Sequence, residues 1–231
     1  VFPASATDYL DVSTSERGEL ELTDVLEIVC EEHHVTAVPF DRWLDVGRPW
    51  ELLAANGWLS ESLSRRLDGT VSDEATIEGD IVVESGATIK SGVTVEGPAY
   101  IGEDATVGPN AYIRGATAVG AGAKVGHAVE VKNSVLMADA TVGHLSYVGD
   151  SILGRAVNFG AGTTVANLRH DDEPVVVTVK GDRVSTGRRK FGVVVGDDAK
   201  TGINTSLNAG VVLGKGVTTT PGEVLTRDRR D

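Results

Sequence analysis

This 231-residue chain has one cysteine, no long apolar run and few positive charges. Cys30 has no second cysteine to bond, so an internal disulfide is excluded and a reducing compartment, the cytoplasm, is the default expectation. No stretch approaches the roughly 20 apolar residues of a membrane span, and no secretory leader is visible, so no membrane partner is expected. Lys and Arg number 21 against 34 Asp and Glu, a net charge of −13. General binding to nucleic acid or anionic membrane needs a basic face, which this balance argues against; a local basic pocket stays open. The basic residues are 14 Arg and 7 Lys. An Arg-heavy set on an acidic protein suits a salt-loving organism, where repulsion is screened, and equally suits ordinary acidic solubility. The chain opens on Val1 rather than Met, which predicts a piece of something longer.

From Val71 the sequence falls into hexads led by an aliphatic residue. The leads run Val71, Ile77, Val83, Ile89, Val95, Ile101, Val107, Ile113, Val119, Val125 and Val131 without a slip. One-residue deletions then move the lead to Leu136, Val142 and Val148, and again to Leu153, Phe159 and Val165. After an interruption over 168–194 the period returns at Val195, Thr201, Leu207, Leu213, Thr219 and Leu225. A hexapeptide period is the signature of a parallel β-helix, in which short strands point their leads inward and Gly or Asn takes the corners that need positive φ. A disordered Gly-rich segment would not keep eleven consecutive aliphatic leads.

Before Val71 the pattern differs. ELTDVLEIVCEEHHV (21–35) has apolar residues at helical spacing after a Thr-Asp start, and TAVPF (36–40) reads as a short strand. In RWLDVGRPWELLAANGWLSESLSRRL a turn at Gly47–Pro49 leads into helix. The expected organisation is an α/β piece over 1–56, a helical linker over 57–70 and the β-helix over 71–231.

With three hexads to a coil, residues three hexads apart stack at roughly 4.8 Å. Arg114 and Lys132, each following its lead, then stack on one edge. Two such cations without acids in their column repel unless an anion lies near, and a phosphate is the natural candidate; two solvated surface cations are the alternative. His127 and His144, each two after its lead, share a second column that Ala161 continues within a small GAG corner. Tyr147, Asn158 and Asn167 fall in the same few hexads. A neutral imidazole can take a proton from an attacking nucleophile, and a backbone N–H at a small corner can stabilise an oxyanion.

EVKNSVL, TVGHLSYVGD, VNFGAGT and VANL resemble, in order and spacing, the acetyltransferase half of the bifunctional glucosamine-1-phosphate acetyltransferase / N-acetylglucosamine-1-phosphate uridylyltransferase family, over roughly 71–167 and 195–225. The resemblance implies a left-handed β-helix, a homotrimer with sites between subunits, and acetyl transfer from acetyl-CoA to a hexosamine 1-phosphate in UDP-N-acetylglucosamine synthesis. It further implies that His144 is the general base and that Asn167 assists at the reacting amine. Arg114 and Lys132 would hold the sugar phosphate, Tyr147 and Asn158 would bind the acceptor, and the Ala161 backbone would lie near the thioester. The chain departs from the bacterial pattern at Leu168, where those members carry an aromatic, and in the 168–194 segment, which resembles an insertion of the archaeal branch. VVVTVKGDRVSTGRRKFG reads as a hairpin around a Gly-Asp turn, and Arg188-Arg189-Lys190 could meet the phosphates of coenzyme A or the acids of a neighbouring subunit.

RWLDVGRPWELLAAN resembles the W-L-D-x-G stretch of sugar-1-phosphate nucleotidyltransferases, whose Asp commonly binds Mg²⁺; here that residue is Asp45. The Gly-rich nucleotide loop of those enzymes is not in this sequence, so nucleotidyl transfer is not expected of it. Two rival readings stand beside acetyl transfer. A zinc-dependent carbonic anhydrase-like β-helix would use His127 and His144, but His33, His34 and His170 fall outside the repeat. A non-catalytic trimerisation module would not need the polar set just named.

Overall fold

A computed structural model describes residues 4–16 and 18–230. The chain divides into two compact units, one up to Trp43 and one from Leu44. In the first, a 3₁₀ turn (Ala4–Tyr9) precedes helix α1 (Leu22–Glu32), whose Val25 and Val29 are buried. The expected Thr-Asp start lies inside the first turn, where Asp24 complements the helix dipole, and the cap is Glu21. The strand expected over 36–40 does not form. Pro39 has no N–H to give, and this unit holds no other strand among its described residues to pair with.

In the second unit, α2 (Pro49–Ser60) starts with proline in its first turn, as the Gly47–Pro49 reading requires. It ends at Ser60, and the first strand begins at Arg66, so the 57–70 linker is helical only over its first residues. The Ser60 and Ser62 hydroxyls donate to the Asn56 and Leu59 carbonyl oxygens, local bonds that compete with further helix.

The remainder is a parallel β-solenoid of about nine turns. Its strands stack into three ladders. We call face 1 the ladder starting at Arg66–Leu67, face 2 that starting at Thr70–Val71 and face 3 that starting at Thr76–Glu78. Each ladder is parallel, with Ile77 beside Val95 and Val95 beside Ile113, so a coil is three hexads. The leads from Val83 to Val165 line one continuous core together with the small residues Ala87, Ala105 and Ala123. A buried valine or isoleucine contributes about 1.5–3 kcal/mol, so the aliphatic column alone specifies the inward face. Later leads are partly polar: the Thr163 and Thr201 hydroxyls bond at 2.8 Å inside the coil, as do those of Thr205 and Thr219.

Corners take left-handed φ as expected, but Asp shares the task with Gly and Asn, as at Asp104, Asp139 and Asp150. The interruption is looped out without breaking the ladder, since Leu153 pairs directly with Val195. It forms an antiparallel hairpin (Val176–Val179 with Asp182–Ser185). The turn is Lys180-Gly181, both at positive φ, one residue before the expected Gly-Asp. The physical reason is register: Val175 and Val177 must face inward, and a one-residue slip would turn them to solvent. They join Trp50, Leu53, Ile152 and Phe191 in a second core on face 1, with the Trp50 and Phe191 rings edge to face at 6.3 Å.

Candidate functional site

The stacking inferred from the hexads is present. Lys132 lies beside Arg114 on face 3, and His127 beside His144 at the end of face 2. Gly126 makes the second stack possible, because a Cβ there would sit 1.8 Å from the Gly143 carbonyl oxygen. Both imidazoles are exposed. Beyond His144 the chain turns through Leu145, at φ 50 and exposed, and the small corner follows with the Gly162 N–H donating to the His144 carbonyl.

The premise of unpaired cations is overturned. Arg114 Nε donates to Glu130 at 2.8 Å, and Lys132 Nζ to Asp150 at 2.8 Å. The acids were missed because they are not in the cations' own column: Glu130 precedes Lys132 by two residues, so it shares the outward side of that strand, and Asp150 sits at the corner one coil on. Glu130 raises the Arg114 pKa further, and the guanidinium lies 5.7 Å from the Tyr112 ring centroid.

Asp150 is the centre of the cluster. Its carboxylate is buried and accepts from Lys132, from Asn133 Nδ2 at 2.7 Å and from Asn167 Nδ2 at 2.6 Å. Asn167 Nδ2 also reaches the Tyr147 hydroxyl at 3.1 Å. Burial raises the Tyr147 pKa, and Glu130 and Asp150 add to it, so the phenol stays protonated and can donate outward. The phenol folds over Gly149, where a Cβ would lie 2.4 Å from its oxygen and 2.6 Å from Asn167 Nδ2. Arg114, Lys132, Tyr147 and Asn167 therefore come together, with Glu130, Asn133, Gly149 and Asp150 as members that sequence reasoning did not name.

The other candidates lie apart. Asn158 stacks on Thr141 at the opposite end of face 2 from His144, and its exposed side chain is beside Lys200 in the ladder. Ala161 is in the small corner next to His144. The hairpin returns close to the cluster: Lys190 bridges Leu168, and the Phe191 N–H donates to the Asn167 carbonyl. Of the three expected phosphate contacts there, Arg189 pairs with Asp172 of its own segment at 2.7 Å. The Arg188 Nε is buried without a partner. Asp45 is exposed in the irregular stretch before α2. Among the described residues, no three His, Cys, Asp or Glu are grouped to hold a metal, and no helix is long and apolar enough to cross a membrane.

The coil and its surface cluster define a hexapeptide-repeat β-solenoid protein. The family described as GMPPB C-terminal domain matches residues 95–191. The chain is a homologue, over most of its length, of archaeal bifunctional sugar-1-phosphate nucleotidylyltransferase/acetyltransferases. It is 46% identical over 224 residues to the protein of that name from Sulfurisphaera tokodaii, covering 95% of this chain and 56% of the relative. It is 46% identical over 201 residues to the bifunctional protein GlmU of Methanocaldococcus jannaschii, covering 87% of this chain and 49% of the relative. The chain thus spans about half the length of the curated relatives it matches. Among solved structures it is similar to a mutant perosamine N-acetyltransferase from Caulobacter crescentus in complex with CoA and GDP-perosamine. That likeness has 16% identity and a TM-score of 0.32, covering 68% of this chain and 51% of that one.

Proposed function

We propose that this chain N-acetylates a hexosamine 1-phosphate, glucosamine 1-phosphate first among them, with acetyl-CoA as donor. The observation that carries the reading is the outward side of face 3, where Arg114, Lys132, Tyr147 and Asn167 converge past the corner that follows His144. A sugar phosphate laid across the corner between faces 2 and 3 would have its phosphate toward the cations and its amine toward the imidazole. In the reaction the amine nitrogen bonds to the thioester carbonyl carbon and the C–S bond breaks. His144 takes the amine proton and returns one to the departing thiolate. Such help is worth about 10²–10⁴-fold, with positioning supplying much of the rest.

On this reading Asn158 binds the acceptor, the Ala161 backbone meets the thioester oxygen, and Arg188 and Lys190 reach the coenzyme's phosphates. Because Arg114 and Lys132 each keep donors beyond those given to Glu130 and Asp150, they can still bind phosphate. The working unit is a homotrimer, the β-helix is left-handed, and the 71–231 region is its acetyltransferase domain. The 1–56 segment is the tail of a nucleotidyltransferase domain whose Mg²⁺ ligand would include Asp45; no step here uses it. The product enters UDP-N-acetylglucosamine synthesis, in the cytoplasm. A thiol-release assay with acetyl-CoA and a panel of hexosamine 1-phosphates tests the reading: release dependent on the amino sugar phosphate supports it, and none at any member of the panel overturns it.

A further inference from the structure

We propose that Asp150 is the positioning residue of this site, acting through Asn167 and Lys132; the proposal rests on the acetyl-transfer reading. The carboxylate is buried and meets three donors from two coils, Lys132 and Asn133 on the coil before it and Asn167 on the coil after it. A buried carboxylate is costly unless its lone pairs are filled, so the three donors and the acid hold one another in place. Its backbone is tied as well: Asp150 N–H donates to the Lys132 carbonyl at 2.8 Å, and Gly192 N–H to the Asp150 carbonyl at 2.8 Å.

The consequence for Asn167 is a fixed amide. An ionised carboxylate accepts only, so the Asn167 amide must turn its NH₂ inward, where it also meets the Tyr147 oxygen. The carbonyl oxygen of Asn167 is then the face left for a substrate N–H. Without the charge at 150 the amide can flip, and half its orientations offer the reacting amine a donor instead of an acceptor. For Lys132, one of three ammonium donors is held by Asp150 and the others remain for the phosphate. Asp150 does not touch the substrate. It decides which atoms of its neighbours do.

The backbone offers a clean test. Asp150 has φ 51, a conformation that Asn and Gly accept, so Asp150→Asn and Asp150→Gly both keep the corner. We expect Asp150→Asn to melt within a few degrees of wild type and to lose about tenfold in kcat, with Asp150→Gly losing more. KM for acetyl-CoA should hold within about twofold, and KM for the sugar phosphate should move by less than the loss in kcat, since releasing Lys132 and removing a negative charge near the phosphate act in opposite directions. A role in folding alone would lower the melting temperature without this split. In an Asn167→Ala background, Asp150→Asn should cost little further kcat, because the group it orients is gone. A kcat within twofold of wild type in both folded Asp150 variants overturns the proposal, as does full multiplication of the two losses. Absence of turnover in wild type strikes the acetyl-transfer reading instead. In that case the side-chain ¹⁵N–¹H signals of Asn167, slow to exchange in wild type and fast in Asp150→Asn, report the same bond; equal exchange in the two overturns the proposal.

Discussion

The two ends of one edge are built in opposite ways. At the His144 end the imidazole is exposed beside His127 and a small corner, and the following Leu145 holds a left-handed φ with its side chain in solvent. At the Lys132 end the side chains bond to one another, the central carboxylate is buried, and Gly149 is filled over by a phenol. In the proposed role the imidazole accepts a proton, which needs access to the substrate, and its exposure at the first end allows that. A binding cluster needs fixed donors, and the second end supplies them through a network in which each member restrains the others. The difference predicts that substitutions at the first end act on turnover and leave the fold alone, while those at the second spread to several side chains at once.

The largest expected effect is at the open end. His144→Ala should lose about 10²-fold or more in kcat while keeping its melting temperature, whereas His127→Ala should be much milder. Wild-type turnover in the first would remove the general-base role. Next comes Gly149→Ala, at which the added methyl must displace both the Tyr147 phenol and the Asn167 amide. We expect a loss of about tenfold or more in kcat/KM, and an unchanged value would show that the clustered end is looser than described. Arg114→Ala and Lys132→Ala should each raise KM for the sugar phosphate several-fold and leave that for acetyl-CoA near its original value. An effect confined to acetyl-CoA would mean that the two substrates have been placed the wrong way round.

How much of this edge could be read from sequence depends on the direction in which one looks. Residues three hexads apart are neighbours by construction, so the Arg114–Lys132 and His127–His144 stacks followed from counting, as did the buried leads. Contacts that run diagonally do not follow from counting. Asp150 meets Lys132, Asn133 and Asn167 only because the corner turns its side chain back under the edge, and Glu130 reaches Arg114 across the strand. The same holds elsewhere. The hairpin was visible as an alternation, but its turn was set by which valines the second core buries. The helix ended early because serines bonded to its own carbonyls, and 36–40 stayed unpaired because a strand exists only where a partner does.

A smaller, pH-dependent effect separates the last coil from the site. Arg229 and the Thr220 N–H hold the Glu223 carboxyl down to about 2, below its ordinary value of 4.5. A depressed carboxyl stabilises the fold above its unfolded pKa and loses that contribution as pH falls through the folded one. Thermal melts should therefore show Glu223→Gln less stable than wild type near neutrality, with the gap closing between about pH 4.5 and 2. A gap that persisted at pH 2 would show that the substitution acts through packing. The least of the effects is one of protection: amides up to Trp43 should exchange faster than those of the β-solenoid core, since the described residues of that unit form only α1 and a short turn.

The central claim is that this edge joins an acetyl group to the amine of a sugar phosphate. Its most direct measurement is free-thiol appearance from acetyl-CoA with the wild-type chain, using glucosamine 1-phosphate, galactosamine 1-phosphate and, as a control lacking the amine, glucose 1-phosphate. The account predicts thiol release with an amino sugar phosphate, none with the control, and near-complete loss of that release in His144→Ala. Release that is equal with and without the amine, or that survives removal of the imidazole, would contradict it.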